Sequence, residues 1–430
     1  MQKVQSYTPD QPTETPDSPA ENTPEVQEVS EAPKETKTKD EKLVLKKKKG
    51  LPFLIFGILF FLGGIGAIVA FFLIPDTVLA DLIFPTIPSA KETSGTKIYS
   101  AITGLELANE GEKNSPVYCI QTPNGLDGSR PQAGLTDAGV VFEAIAERGI
   151  TRFAAIYQNP KNAIIGPIRS LRLYYLQWDT PFDCTIVHAG GAPDAISALY
   201  AGGYKNMNED YNYTFRGEYD YHLWNNLFTT PSSLSQNSTD KGRGTSNPTG
   251  FTRMTPEESA KLRVDKAYPD GFTPTETSLD DTAGNLVSSI NIAFGQNSYF
   301  NVHYNYNAAT NSYDRSYAYG EPHNSYLCTD PNIGEVDPQD YCKETQISPA
   351  VVIAMLVNEH VASDGYHEDI TTAGTGTVYI FQNGIAIEGL WHKASPSSQI
   401  VFKDGAGQEI KLAPGQTWIS AVPSHGSVTY

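Results

Sequence analysis

Positive charge is scarce in this chain. Its 430 residues hold 31 Lys and Arg against 49 Asp and Glu, a net charge of −18. That balance argues against nucleic acid as a partner, because such binding relies on clustered basic residues to displace counterions. Cysteine is scarcer still, at four residues with no Cys-x-x-Cys pair. So few cysteines rule out a small disulfide scaffold, and the missing pair counts against a zinc ribbon or a thioredoxin-type motif. Catalytic signatures are missing too. There is no GxSxG elbow and no Walker loop. His360 and His367 around Glu359 do not make HExxH, and Gly374-Thr375-Gly376 precedes a strand, the wrong context for a dinucleotide turn. The eight histidines supply no recognisable ligand set, so no metal and no cofactor is expected. No repeat with a period of 20–50 residues appears, which excludes a solenoid.

What is present is uneven. Residues 1–50 are rich in Glu, Lys, Thr and Pro with one aromatic, Tyr7, too little apolar surface to offset chain entropy. They read as a disordered tail with a basic end. Residues 51–74 are 24 residues without a charge. At about 1.5 Å per residue such a helix spans a hydrocarbon core of about 30 Å. The run is longer than a signal-peptide core and begins after fifty residues, although Val78-Leu79-Ala80 offers a cleavage-like pattern. Lys46 to Lys49 stand directly before the span, while Pro75 to Ala90 carries only Asp76 and Asp81. Positive charge stays on the cytoplasmic side. The expectation is therefore a cell-membrane protein with a single transmembrane signal anchor, its N-terminus inside and everything after residue 75 extracytoplasmic.

The cysteines agree with that topology. Cys328 and Cys342 bracket a polar loop of 13 residues that a disulfide would close in an oxidising compartment. Cys119 and Cys184 sit in apolar, strand-like runs, either paired or as buried thiols.

The ectodomain divides by pattern. Residues 75–105, with Pro75, Pro85 and Pro88, read as a juxtamembrane spacer. From 106 to 250 short apolar runs alternate with helical patterns, which suggests an α/β domain. Pro116–Thr122, Thr151–Gln158 and Asp183–His188 read as strands; Asp137–Glu147 reads as a helix or helix-like turn and Ala192–Ala201 as a helix. The polar stretch Thr229–Thr252 reads as a loop, and residues 251–279 as a linker in which Thr255-Pro256-Glu257-Glu258 signals a helix start. From 280 to 430 the runs SSINIAF, YFNVHYNY, AVVIAMLV, GTVYIFQNG, QIVFKDGAG and TWISAV predict a β-rich domain. The fold class expected is α+β.

The scarce positive charge is concentrated. After residue 75 the chain has 22 basic and 39 acidic residues, and six of the basic ones fall between Arg130 and Arg172. Arg130, Arg152, Arg169 and Arg172 stand beside Gly- or Pro-containing turns, and His188-Ala189-Gly190-Gly191 leads into a helix. Arg forks match carboxylate and phosphate, and a helix start presents free N–H groups. Arg130, Arg152, Arg169, Arg172, His188, Gly190 and Gly191 are thus candidates for holding an anion. The competing reading pairs these arginines internally with Asp137, Glu143 and Glu147. Secondary candidates are Arg315, His323, Trp391 and Lys393, with Trp391-His392-Lys393 placed to stack on a sugar ring.

RPQAGLTDAGVVFEAIAERGITRFAAIYQ, IGPIRSLRLYY, FDCTIVHAGGAPDA, SYDRSYAYGEPHN, GTGTVYIFQNG, GLWHKAS and LAPGQTWISAVP resemble, in that order, the YerB-like family of bacterial cell-envelope proteins. The resemblance covers residues 100–425. It implies an N-terminal α/β domain followed by a C-terminal β-rich one, held outside the cell membrane, often as a lipoprotein. This chain has no lipobox cysteine, so the helix would replace the lipid. It also has Trp224-Asn225-Asn226-Leu227-Phe228 where the family tends to show Pro-His-Asn-Leu-Tyr, with His222 nearby in a different register. Three functions remain: a module binding an anionic or glycan cell-wall component; an enzyme acting on cell-wall or lipid-linked polymers, with His188 and Glu143 or Glu147 as acid and base; and a protein-interaction scaffold.

Overall fold

The computed structural model describes residues 97–217, 225–263 and 285–430. The tail 1–50, the span 51–74, most of the spacer, the linker after 263, and His222 and Trp224 lie outside the described residues. No helix among the described residues is long and apolar enough to cross a membrane.

The described residues form a single compact unit built around one eleven-stranded sheet. Its strands in chain order are β1 (Val117–Pro123), β2 (Val140–Glu147), β3 (Ile150–Gln158), β4 (Thr185–His188), β5 (Asn206–Asn208), β6 (Val351–Val357), β7 (Gly374–Gln382), β8 (Ile385–Lys393), β9 (Val401–Lys403) and β10 (Thr417–Pro423). Their spatial order is β9-β8-β7-β6-β10-β2-β3-β1-β4-β5, and Asn285–Leu286 pairs with β8 off that path. The junction is parallel: β10 lies beside β2, with Thr417 opposite Val140 and Ser420 opposite Glu143. The segments 106–250 and 280–430 are therefore halves of one sheet, joined where a fully buried C-terminal strand meets a fully buried N-terminal one. Residues 98–105, read as spacer, pack on this body too: Tyr99 bridges Glu106 and Ile102 enters the core.

Asp137–Glu147 is a strand and not a helix from Val140 onward. All eight residues of β2 are buried, because the sheet is covered on both faces. A continuous apolar run of that kind carries no period that separates strand from helix. Val140, Phe142 and Ala144 join one core layer, and Val141 and Ile145 the other. The turn to β3 is Arg148-Gly149, both at positive φ (49° and 75°), the geometry of a two-residue hairpin. Asn383-Gly384 repeats it (55° and 79°) between β7 and β8.

Among the described helices are α1 (Leu173–Asp179), α2 (Pro193–Ala201), α3 (Pro231–Asp240) and α4 (Pro256–Leu262). The start of α4 is a capping box, Thr255 accepting from the Glu258 N–H while the Glu258 side chain accepts from the Thr255 N–H. The stretch 229–252 is not loop throughout, since Thr230 caps α3 and Pro231 occupies its first turn. Both cysteine pairs are joined, Cys328–Cys342 and Cys119–Cys184.

A short hairpin, Glu359–Val361 paired with Glu368–Ile370, carries two buried carboxyls on diagonal positions. Burial pushes Glu359 up from its ordinary 4.5 to about 8, reinforced by the neighbouring Glu368 carboxyl. A carboxyl raised in the folded state contributes stability that is whole below its unfolded value and is lost as pH rises through its folded one. Wild type is therefore expected to lose roughly 1–3 kcal/mol relative to Glu359→Gln between pH 4.5 and 8, the shift being discounted for solvent at the edge of the hairpin. Denaturant midpoints of both proteins across that range check this; parallel curves would refute it.

Candidate functional site

The first cavity, of about 310 Å³, opens at the end of the sheet where β1 and β2 finish and β3 begins. Arg152, Arg169 and Glu147 line it, with Asn124, Thr151, Asp127, Ser129, Asn225, Asn297, Leu126 and Phe300. A register shift between Ile145 and Glu147 builds its charged wall. Strict alternation would put Glu147 on the Glu143 face of β2; the bulge turns it toward Arg152. The Glu147 carboxylate then accepts from Arg152 Nη2 at 2.8 Å and from Arg172 Nη2. Arg152 Nη1 also donates to the Ser170 carbonyl at 2.8 Å. Burial would raise the Glu147 carboxyl, but Arg152 and Arg172 outweigh it and hold the group below its ordinary value. The Arg152 guanidinium is pushed down to about 10 by burial and by Arg172, which Glu147 opposes.

Arg169 stands apart. It is partly exposed, lines the cavity, and has no side-chain hydrogen bond or ion pair among the described residues. Its charge is felt by Glu147 and Arg152. Three guanidiniums therefore surround one fully committed carboxylate, with the exposed Asp127 as the other acid in the lining.

Arg130 is not in the lining. Its Nε donates to the carbonyl and Oδ1 of Asn124 at 3.1 and 2.9 Å, and its guanidinium sits 3.7 Å over the Tyr317 ring. Asn124 connects it to a buried network on the opposite face of the sheet. Asn124 Nδ2 donates to Thr151 Oγ1 at 2.7 Å, and Thr151 donates to Glu143 at 3.1 Å. Glu143 takes both oxygens to Arg315 Nη2 at 3.1 Å and accepts from Trp418 Nε1 at 2.9 Å. Arg315 Nε donates to His323 Nδ1 at 2.7 Å, so His323 is neutral and gives its Nε2 proton to Gln132 Oε1 at 3.0 Å. Burial, with Arg315 and Arg130 nearby, holds His323 well below its ordinary value.

These positions revise several expectations. Glu143 is fully buried and saturated, so it cannot meet a ligand as an acid or base. Glu147 is the one of the three catalytic candidates in the cavity, and its two arginines make it a poor proton donor. His188 is buried outside the lining, its Nδ1 donating to the Gly190 carbonyl at 2.8 Å, and burial lowers it. The Gly190 N–H goes to Asn208 Oδ1 at 2.9 Å, and a Cβ at Gly191 would meet Ile196 at 2.9 Å and the Leu171 carbonyl at 3.0 Å. This turn is closed by its own contacts, and it does not join the arginine cavity. Trp391 and Lys393 do not form a sugar platform: they alternate inward on β8, 4% and 1% exposed. Trp391 Nε1 donates to the Leu356 carbonyl at 2.8 Å, and Lys393 Nζ to the Gln177 carbonyl at 3.0 Å. Burial pushes that amine down to about 8. The internal pairing weighed from sequence is right for Glu147 with Arg152 and Arg172. Asp137 instead accepts from the backbone N–H of Lys161 at 2.6 Å and from that of Asn162. Sequence reasoning missed Asn124, Gln132, Tyr317 and Trp418, and the rim residues Asn225, Asn297 and Phe300, whose approach depends on the tertiary fold. Among the described residues no group of three His, Cys, Asp or Glu is arranged to hold a metal.

Two family descriptions match. Residues 102–245 match the N-terminal domain, and 290–419 the C-terminal domain, of a "Protein of unknown function (DUF3048)". A Bacillus subtilis (strain 168) relative named "Putative lipoprotein YerB" is 26% identical over 328 residues, covering 76% of this chain and 87% of its own. The crystal structure of the Bacillus subtilis YerB protein is similar with a TM-score of 0.60 at 24% identity, spanning 78% of this chain and all of that one.

Proposed function

The chain belongs to the YerB-like family, and on that premise we propose that it is a membrane-anchored envelope protein that binds an anionic or glycan component of the cell wall at the Arg152–Arg169 cavity. The observation that carries the reading is Arg169: a guanidinium without a partner among the described residues, in the same cavity as Arg152 and beside a carboxylate already held by two other arginines. Guanidinium forks suit phosphate and carboxylate groups. The lining adds amides and hydroxyls, Asn225, Asn297 and Ser129, with Phe300 and Leu126 as apolar surface, a mixture suited to a sugar carrying the anion. Binding without turnover is the better reading because the cavity holds no free imidazole among the described residues, and its Glu147 is held ionised. The relative's name speaks of a lipoprotein; here the 24-residue uncharged run behind four lysines supports anchoring by a helix, with the sheet outside.

Arg169→Ala tests the site. Its side chain is partly exposed and supports no described contact, so folding should be unchanged. Loss of a charge-assisted contact of about 1.5–3 kcal/mol predicts at least a tenfold weaker affinity. Titrating the full-length chain with inorganic phosphate and with soluble wall fragments measures it. Equal affinity of wild type and variant for both would refute the reading.

A further inference from the structure

A second cavity, of about 420 Å³, takes its other wall from the same ion-pair cluster: Arg172 lines it, where Arg152 and Glu147 line the first. Its charge is of the opposite sign. Asp194, Asp364, Glu368 and Asp369 face it. Arg172 is the guanidinium among them, and its Nη2 is already on Glu147. The two imidazoles in the wall are each beside an aspartate, His367 Nδ1 at 2.6 Å from Asp364 and His360 Nε2 at 3.6 Å from Asp369.

Glu368 distinguishes this cavity from an acidic surface. It is 5% exposed, it lines the cavity, and its Oε2 has no hydrogen-bond donor among the described residues. Neither oxygen of its buried neighbour Glu359 has a donor either; the His425 imidazole Nδ1 stands 3.7 Å away. Buried carboxyl oxygens without donors are costly. One proton held between the two carboxyls relieves part of that cost. A group bringing several N–H donors and a positive charge would relieve more, and an ammonium has three.

We propose that this second cavity binds a primary ammonium group. Glu368 receives it from below, with Asp194 from the start of α2 and Asp369 from the outer face of the hairpin completing the acidic wall. The site is independent of the anion cavity, so the chain would offer two neighbouring sites of opposite charge on either side of the Arg152–Glu147–Arg172 cluster.

The probe is 1,5-diaminopentane, with pentane-1,5-diol as its uncharged counterpart, titrated into the full-length chain at pH 7. The diamine should bind and the diol should not. Glu368→Gln should weaken the diamine at least tenfold, and Asp194→Asn, at an exposed position that leaves folding intact, at least threefold. Glu110→Gln, an exposed acid that lines neither cavity, should leave it unchanged. Phosphate affinity should stay at the wild-type value in all three, whereas Arg169→Ala should lose phosphate and keep diamine. Diamine affinity unchanged in both cavity variants, an equal loss in Glu110→Gln, or diol binding as tight as diamine would each overturn the proposal.

Discussion

Glu143→Ala is expected to cost about 3–5 kcal/mol of folding stability. The carboxylate is fully buried and accepts four hydrogen bonds, two from Arg315 Nη2 at 3.1 Å, one from Thr151 at 3.1 Å and one from Trp418 at 2.9 Å. Removing it leaves the fully buried Arg315 guanidinium without its counter-charge, 4.5 Å over the Trp418 ring. Burial alone would push that guanidinium down; Glu143 and Tyr304 hold it up instead. The remaining partners do not replace the charge. Tyr304 accepts one bond at 3.0 Å, and His323 accepts another through Nδ1 at 2.7 Å. A buried pair is a poor source of net stability but a severe loss when halved, so the double variant Glu143→Leu/Arg315→Met should be milder than either single change. Guanidinium-chloride unfolding of wild type, Glu143→Leu, Arg315→Met and the double variant gives the cycle. A single variant within 1 kcal/mol of wild type, or singles that add in the double, would refute the argument.

The Glu143–Arg315 pair also marks where sequence reasoning stops. The partners lie 172 residues apart, and they meet because long-range pairings bring the two halves together, above all β10 inserting beside β2, with Ser325-Tyr326 also pairing beside Gln132-Ala133. No local pattern encodes that insertion. What was legible depended on local chemistry. The Thr255 capping box, the helix after Ala192, the Asn383-Gly384 hairpin and the strand runs from 290 onward follow from cap, turn and alternation rules. The strand at Val140–Glu147 was illegible because both its faces are covered, which erases the period. Helix α3 was hidden in a polar stretch because only Leu234, Asn237 and Ser238 of it are buried. Within the site, the arginine concentration between 130 and 172 was readable as composition, but the division of labour was not. A bulge decides that Glu147 meets Arg152 and Arg172, and tertiary packing leaves Arg169 in the lining without a described partner. Trp391 and Lys393 looked like surface because their residue types suit a sugar; alternation on β8 turns both inward.

Replacing Cys119 and Cys184 together by alanine is expected to cost about 4 kcal/mol, against about 3 kcal/mol for Cys328 and Cys342, if each bridge acts by restricting the unfolded chain. The first closes a sequence separation of 65 and the second one of 14. Their positions sharpen the contrast. Cys119 lies in β1 and Cys184 just before β4, two parallel neighbours in which Cys119 stands opposite Ile186. The loop they close contains β2, β3 and α1, and with them Glu147, Arg152, Arg169 and Arg172. Loosening it frees the whole charged wall of the first cavity. Cys328 and Cys342 close a peripheral loop, and Cys342 is partly exposed. Mild reductant should therefore open Cys328–Cys342 first and leave phosphate affinity unchanged. Loss of affinity and the larger drop in denaturant midpoint should arrive together when Cys119–Cys184 opens. Thiol alkylation followed by peptide mapping orders the two events. Phosphate affinity lost with the first bridge, or a smaller stability loss for the Cys119/Cys184 variant than for the other, would show that the long loop does not hold the site.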